Sequence, residues 1–116
     1  MKEPIRDQGR LEHILQAVQN ALEFGKDQTV ESLNNDPMRY YAITKNIEII
    51  GEAAYMLTDD FKEKHPQSEW RTIIGMRHAL VHGYYQISRE EVISVLKNDL
   101  LPLRHQIESY LSETCV

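Results

Sequence analysis

Apolar residues recur at intervals of three and four along most of this 116-residue chain, and that spacing leaves room for little but helices. Leu11, Ile14, Leu15, Val18 and Leu22 form one such stripe and predict a first helix from about Asp7 to Gly25. Gly25 and the polar stretch Lys26 to Asn35 end it. Asp36-Pro37 is a start signal, a capping carboxylate followed by a ring whose missing N–H does no harm at the first helical position. The second helix then runs to about Leu57. Ile43, Ile47, Ile50, Ala54 and Leu57 make its main stripe, and Ile49, Ala53 and Met56 widen it. A helix this apolar on more than one side belongs at the centre of a bundle, or is shared between a core and a partner.

Asp59-Asp60 and His65-Pro66 bracket a loop with room for one extra helical turn. Trp70, Ile73, Ile74, Leu80 and Val81 predict a third helix from about Ser68 to His82, stopped by Gly83. Ser88 with Glu91 three residues later matches a capping box. It launches a fourth helix through Val92, Leu96, Leu100, Leu103, Ile107 and Tyr110, which Pro102 should kink. No segment alternates as a strand would, and no internal repeat occurs. The expectation is all-α, an up-down four-helix bundle with a short extra helical turn before the third helix, in a single domain spanning residues 1–116.

The balance of 41% hydrophobic and 27% charged residues is that of a soluble globular protein. No apolar run is long enough to span a membrane, and Met1-Lys2-Glu3-Pro4-Ile5-Arg6 has no apolar signal-peptide centre. One cysteine, Cys115, gives neither an intrachain disulfide nor a metal cluster, and a reducing cytoplasmic setting fits. The net charge of −5 argues against a protein that coats nucleic acid. From Phe61 to Arg89, however, five cations (Lys62, Lys64, Arg71, Arg77, Arg89) face two anions (Glu63, Glu69), and three histidines lie in the same window. That pattern predicts a locally positive site on an acidic body.

The chemistry concentrates in Met76-Arg77-His78-Ala79-Leu80-Val81-His82-Gly83-Tyr84-Tyr85. Arginine is a permanent cation whose planar fork matches phosphate oxygens. Histidine can take and give a proton near neutrality. Together Arg77 and His82 are a minimal kit for phosphodiester cleavage without a metal. On a continuous helix the two would leave the axis about 140° apart. Convergence then requires the helix to end near His82, or a second chain to complete the site. The alternative reading is a surface arginine and a terminal histidine that complements the helix dipole.

His78 and His82 share a helix face at i, i+4, with His65 as a conceivable third ligand. Neither the intervening Glu of a zinc-protease helix nor a nearby Cys is present, so no metal and no cofactor are expected. Gly51 sits mid-helix at a cost of about 1 kcal/mol relative to Ala, which points to a close helix–helix approach. Glu52 beside it either orients Arg77 or is solvated.

Asn46-Ile47-Glu48-Ile49-Ile50-Gly51-Glu52-Ala53, Glu69-Trp70-Arg71-Thr72-Ile73-Ile74-Gly75-Met76-Arg77 and the motif from Arg77 to Tyr84 resemble the HepT-like branch of the HEPN helical domains. The likeness runs from about Asp7 to Leu111. It implies a metal-independent ribonuclease acting as the toxin of a toxin–antitoxin pair, with RNA as substrate and DNA spared. It also implies a homodimer whose two motifs face one cleft, and a partner of the MntA-like minimal nucleotidyltransferase class. That antitoxin would silence the toxin by AMPylation at the motif tyrosine, here Tyr84, with Tyr85 adjacent. His78 stands where family members often have Asn, and with Glu52 it is a supporting residue. The competing class is a non-catalytic helical dimer that binds and assists a nucleotidyltransferase.

Overall fold

A computed structural model describes residues 2–83 and 87–114. Within them the chain folds as α1 (Lys2–Phe24), α2 (Val30–Asn34), α3 (Pro37–Met56), α4 (Asp59–Lys64), α5 (Trp70–His82), α6 (Arg89–Ser94) and α7 (Leu100–Thr114). A π-helical turn at Val95–Asp99 joins the last two, and no strand occurs among the described residues. The molecule is all-α, with its helices packed as in a HEPN-like bundle. No described helix is long and apolar enough to cross a membrane.

The broad apolar surface of α3 explains the arrangement: α3 packs against both α1 and α5, and α1 packs in turn on α7. Leu11, Ile14 and Val18 of α1, Ile43 and Ala54 of α3, and Ile107 of α7 lose essentially all solvent contact. Truncating any of the large aliphatic ones would cost about 2–5 kcal/mol. On α5 only Trp70 is buried. Ile73 and Met76 stay half-covered because a groove of about 310 Å³ opens beside them, toward Val95, Leu100 and Leu103. The position of α5 is therefore set chiefly by α3.

Polar ties fix the ends. Both carboxylate oxygens of buried Asp7 accept from Thr58, one from its backbone N–H at 2.9 Å and one from its hydroxyl at 2.7 Å. Arg6 donates to the Met56 carbonyl at 2.9 Å. The start of α1 is thus stapled to the α3–α4 corner. Ser68, read from sequence as the beginning of a helix, instead lies buried in the approach to α5. Its hydroxyl stands 2.6 Å from both Gln106 Oε1 and the Tyr110 hydroxyl. Helix α5 begins at Trp70, and Glu69 in the cap position makes no side-chain cap bond.

The polar stretch after α1 hides a further short helix. Thr29 and Ser32 form a reciprocal capping box, and Leu33 is fully buried, which together stabilise α2 where sequence suggested only a connection. The extra turn expected before the third long helix is α4, capped by Thr58. Helix α1 starts five residues earlier than its apolar stripe suggested. Pro102 leaves the Asn98 carbonyl without an i+4 donor, and the irregularity lies just upstream, in the π turn where Leu100 N–H donates to the Val95 carbonyl.

Candidate functional site

The closest approach of α3 to α5 is built around a glycine. A Cβ on Gly51 would overlap the Cβ of Arg77 and stand 3.0 Å from the Ile73 carbonyl oxygen, so only glycine lets the backbones meet here. One residue later, Glu52 Oε1 pairs with the Arg77 guanidinium at 3.0 Å. The Arg77 side chain retains 33% of its exposure, and its Nε is buried with no hydrogen-bond partner among the described residues. Packing holds the stem of Arg77, and Glu52 engages one edge of its fork. Arg77 also lines a polar concavity of about 320 Å³ between α1, α3 and α5.

Helix α5 continues unbroken through His82 and is capped by Gly83, whose N–H donates to the Ala79 carbonyl. Five positions apart, Arg77 and His82 project about 140° from one another. No hydrogen bond, ion pair or ring contact joins them among the described residues. His78 and His82, one turn apart and both exposed, lie with ring centroids 4.8 Å apart at 52°. The structure thus brings Arg77 to Glu52 and His78 to His82, as two pairs on different sides of one helix. Tyr84 and Tyr85 lie outside the described residues.

The positive window does not form one patch. Lys62 and Lys64 pair with Asp59 and Asp60 on their own helix, at 3.9 and 3.1 Å, because α4 places i, i+3 and i, i+4 residues side by side. Arg89 lies over the Tyr40 ring, 4.1 Å from its centroid. Of the five cations only Arg77 lines the concavity, and its neighbours there are Arg10 and His13 of α1 and Lys45 of α3. Sequence reading passed over these three. Arg10 and His13 share one face of α1 at i, i+3, and Lys45 shares one face of α3 with Glu52 at i, i+7, but nothing in the sequence said that those faces meet. His65, the conceivable third metal ligand, is far from this arrangement in its contacts. It stacks on Phe61 and approaches Glu113 at 3.1 Å. No group of three or more metal-ligating side chains gathers among the described residues.

Comparison with known proteins gives the arrangement a family. A family model described as "Ribonuclease HepT-like" matches residues 14–110, from the middle of α1 to the last turns of α7. The chain is 33% identical over 95 residues to "Putative RNase MJ1380" of Methanocaldococcus jannaschii, covering 82% of this chain and 87% of that protein. It is 33% identical over 103 residues to "Putative RNase TTE0752" of Caldanaerobacter subterraneus, covering 89% and 92%. With "Probable ribonuclease HepT" of Thermococcus cleftensis it shares 32% over 98 residues, covering 84% and 89%. No solved structure matches. A match that spans both the Gly51–Arg77 contact and the Arg77-to-His82 segment, with relatives aligned over most of their length, places this chain in the HepT-like ribonuclease family.

Proposed function

We propose that this protein is the toxin of a toxin–antitoxin pair, an endoribonuclease that cleaves RNA without a metal and works as a homodimer. The observation that carries this reading is Arg77, held by Gly51 and Glu52 in the wall of an open polar concavity, in a chain of the HepT-like ribonuclease family. His82 accepts the proton of a ribose 2′-OH, and the 2′-oxygen attacks the adjacent phosphorus. Arg77 stabilises the charge that develops on the phosphoryl oxygens. The bond from phosphorus to the 5′-oxygen breaks, and a histidine, His82 of either copy or His78, returns a proton to that oxygen. The products are a 2′,3′-cyclic phosphate and a 5′-hydroxyl. DNA, without the 2′-OH, is not cut.

The angular separation of Arg77 and His82 along α5 supports a dimeric site, because one helix cannot aim both side chains at one phosphate. Two copies facing each other can offer the arginine of one and the histidine of the other. An MntA-like nucleotidyltransferase would silence the enzyme by attaching AMP to Tyr84, adding bulk and negative charge beside the cleft.

The test is incubation of the purified, unmodified protein with total RNA in EDTA, beside His82→Ala. Cleavage by the wild type alone, leaving 2′,3′-cyclic ends, is the expected result. If neither protein cuts while both are folded and dimeric, the nuclease reading fails and a non-catalytic partner of a nucleotidyltransferase takes its place.

A further inference from the structure

The concavity beside Arg77 gathers more cations than the phosphoryl-stabilising role of Arg77 uses. Its charged lining is Arg10, Lys45 and Arg77 with the carboxylates of Glu48 and Glu52, and His13 adds an imidazole. Both carboxylates already have partners, since Glu48 meets Lys45 at 3.4 Å and Glu52 meets Arg77 at 3.0 Å. Arg10 and His13 have no such partner within the described chain. An unpaired guanidinium next to two half-satisfied cations, in a recess on an acidic protein, is a seat for an anion.

The exposed face of α3 extends the recess in both directions. Tyr41, Lys45, Glu48, Glu52 and Tyr55 succeed one another at steps of four, three, four and three, and so lie along one stripe. Tyr41 is 63% exposed and Tyr55 62% exposed, so two open aromatic rings bracket the charged stretch, about 21 Å apart along the helix. Tyr41 is braced edge-on against Tyr40, whose own ring is clamped by Arg89. Open aromatic rings beside cations are a surface on which single strands bind, bases on the rings and phosphates on the charges. Here Lys45 lies on the tyrosine stripe, Arg10 and Arg77 line the recess it borders, and Glu48 and Glu52 are held by Lys45 and Arg77. Where two copies face each other around Arg77, the charged recess suits the phosphates of a strand lying in the shared cleft better than the centre of the protein–protein contact, which is depleted of charge.

We propose that Arg10, His13 and Lys45 form a subsite for the phosphates of single-stranded RNA flanking the scissile one, with Tyr41 and Tyr55 stacking its bases. This rests on the nuclease reading for its biological role, although binding itself is separable from cleavage. The probe is a short single-stranded oligoribonucleotide, 2′-O-methylated throughout so that it cannot be cut. Its affinity is measured by fluorescence anisotropy between about 50 and 200 mM salt.

For Arg10→Gln/Lys45→Gln, the slope of log affinity against log salt should fall by about 1.4, since each phosphate contact on a single strand contributes about 0.7. Lys26→Gln/Lys97→Gln, at residues lining a separate recess, should leave the slope unchanged and controls for general loss of charge. Tyr41→Ala and Tyr55→Ala should each lower affinity roughly tenfold at every salt concentration. A slope that falls equally in both double variants overturns the subsite. So does an unchanged slope in Arg10→Gln/Lys45→Gln, and a changed dimer dissociation constant in that case would assign the face to contact between copies. If the wild type binds through Arg10 and Lys45 yet leaves total RNA intact in EDTA, the subsite stands and the nuclease reading falls.

Discussion

The backbone of Gly51 lies directly against the Cβ of Arg77, so that a methyl group at position 51 would occupy the space the arginine stem now fills. Two helices are brought together at the point where Arg77, the arginine proposed to stabilise the phosphoryl oxygens, emerges. Stability and the proposed activity therefore meet in one contact, and their effects can be separated by experiment.

Gly51→Ala removes a mid-helix glycine, a gain of about 1 kcal/mol in helix propensity. It also forces α5 or Arg77 outward, an overpacking cost of about 1–3 kcal/mol. The neighbours are the Arg77 stem and a backbone carbonyl, neither of which yields easily, so the cost should win. The expected outcome is a thermal midpoint lowered by a few degrees and RNA cleavage lowered by tenfold or more. Cleavage measured well below the new midpoint distinguishes a displaced arginine from a partly unfolded protein.

Glu52→Gln keeps the shape of the pair and removes its charge. Because Glu52 is about half exposed, the ion pair itself should contribute less than about 1 kcal/mol to stability. The consequence should appear in kcat, down by roughly tenfold with KM little changed, since a neutral amide orients the guanidinium less firmly. Single-turnover cleavage by the variant, beside its denaturation midpoint, tests this. A fall in stability that accounts for the whole loss of activity would make Glu52 structural only.

Asp7→Ala should be among the more damaging substitutions away from the site. It leaves the Thr58 N–H and hydroxyl without their acceptor at a part-buried corner, a loss of about 1–3 kcal/mol. Urea denaturation should show a lower midpoint with an unchanged slope. Cleavage under native conditions should persist, because neither Asp7 nor Thr58 lines the concavity beside Arg77.

Burial raises the pKa of the Tyr40 and Tyr110 phenols above their usual value near 10, opposed in part by Arg89 at Tyr40 and by the hydrogen bond with Ser68 at Tyr110. The folded protein therefore holds these protons to higher pH than the unfolded chain does. Their contribution to stability is fully present below pH 10 and is lost as the pH climbs through the folded-state values. Denaturation midpoints should be flat from neutrality toward pH 10 and decline above it. Tyr110→Phe should make that decline shallower, at the cost of the bond to Ser68.

The long helices, the capping box at Ser88, the extra turn before α5 and the glycine-mediated approach at Gly51 were legible in the sequence, because each rests on the spacing or chemistry of neighbouring residues. Helix α2 was not legible as a helix. Five residues are too few to show a period, and the burial of Leu33 that stabilises them depends on segments distant in sequence. The π turn likewise joins two helices, α6 and α7, that both bury residues in the core, just upstream of Pro102.

The candidate site divides in the same way. Arg77, His82, His78 and Glu52 stood out by residue type and spacing, since a short helical motif carries its own geometry. The distribution of charge did not, because side chains are neutralised by whatever the fold sets beside them. Lys62 and Lys64 found acids within their own helix, whereas Arg10, His13 and Lys45 were brought to Arg77 from two other helices. Periodicity determined which residues share a helix face. Only the packing of α1, α3 and α5 decided which faces share a site, because that choice is made by long-range burial and not by any local pattern.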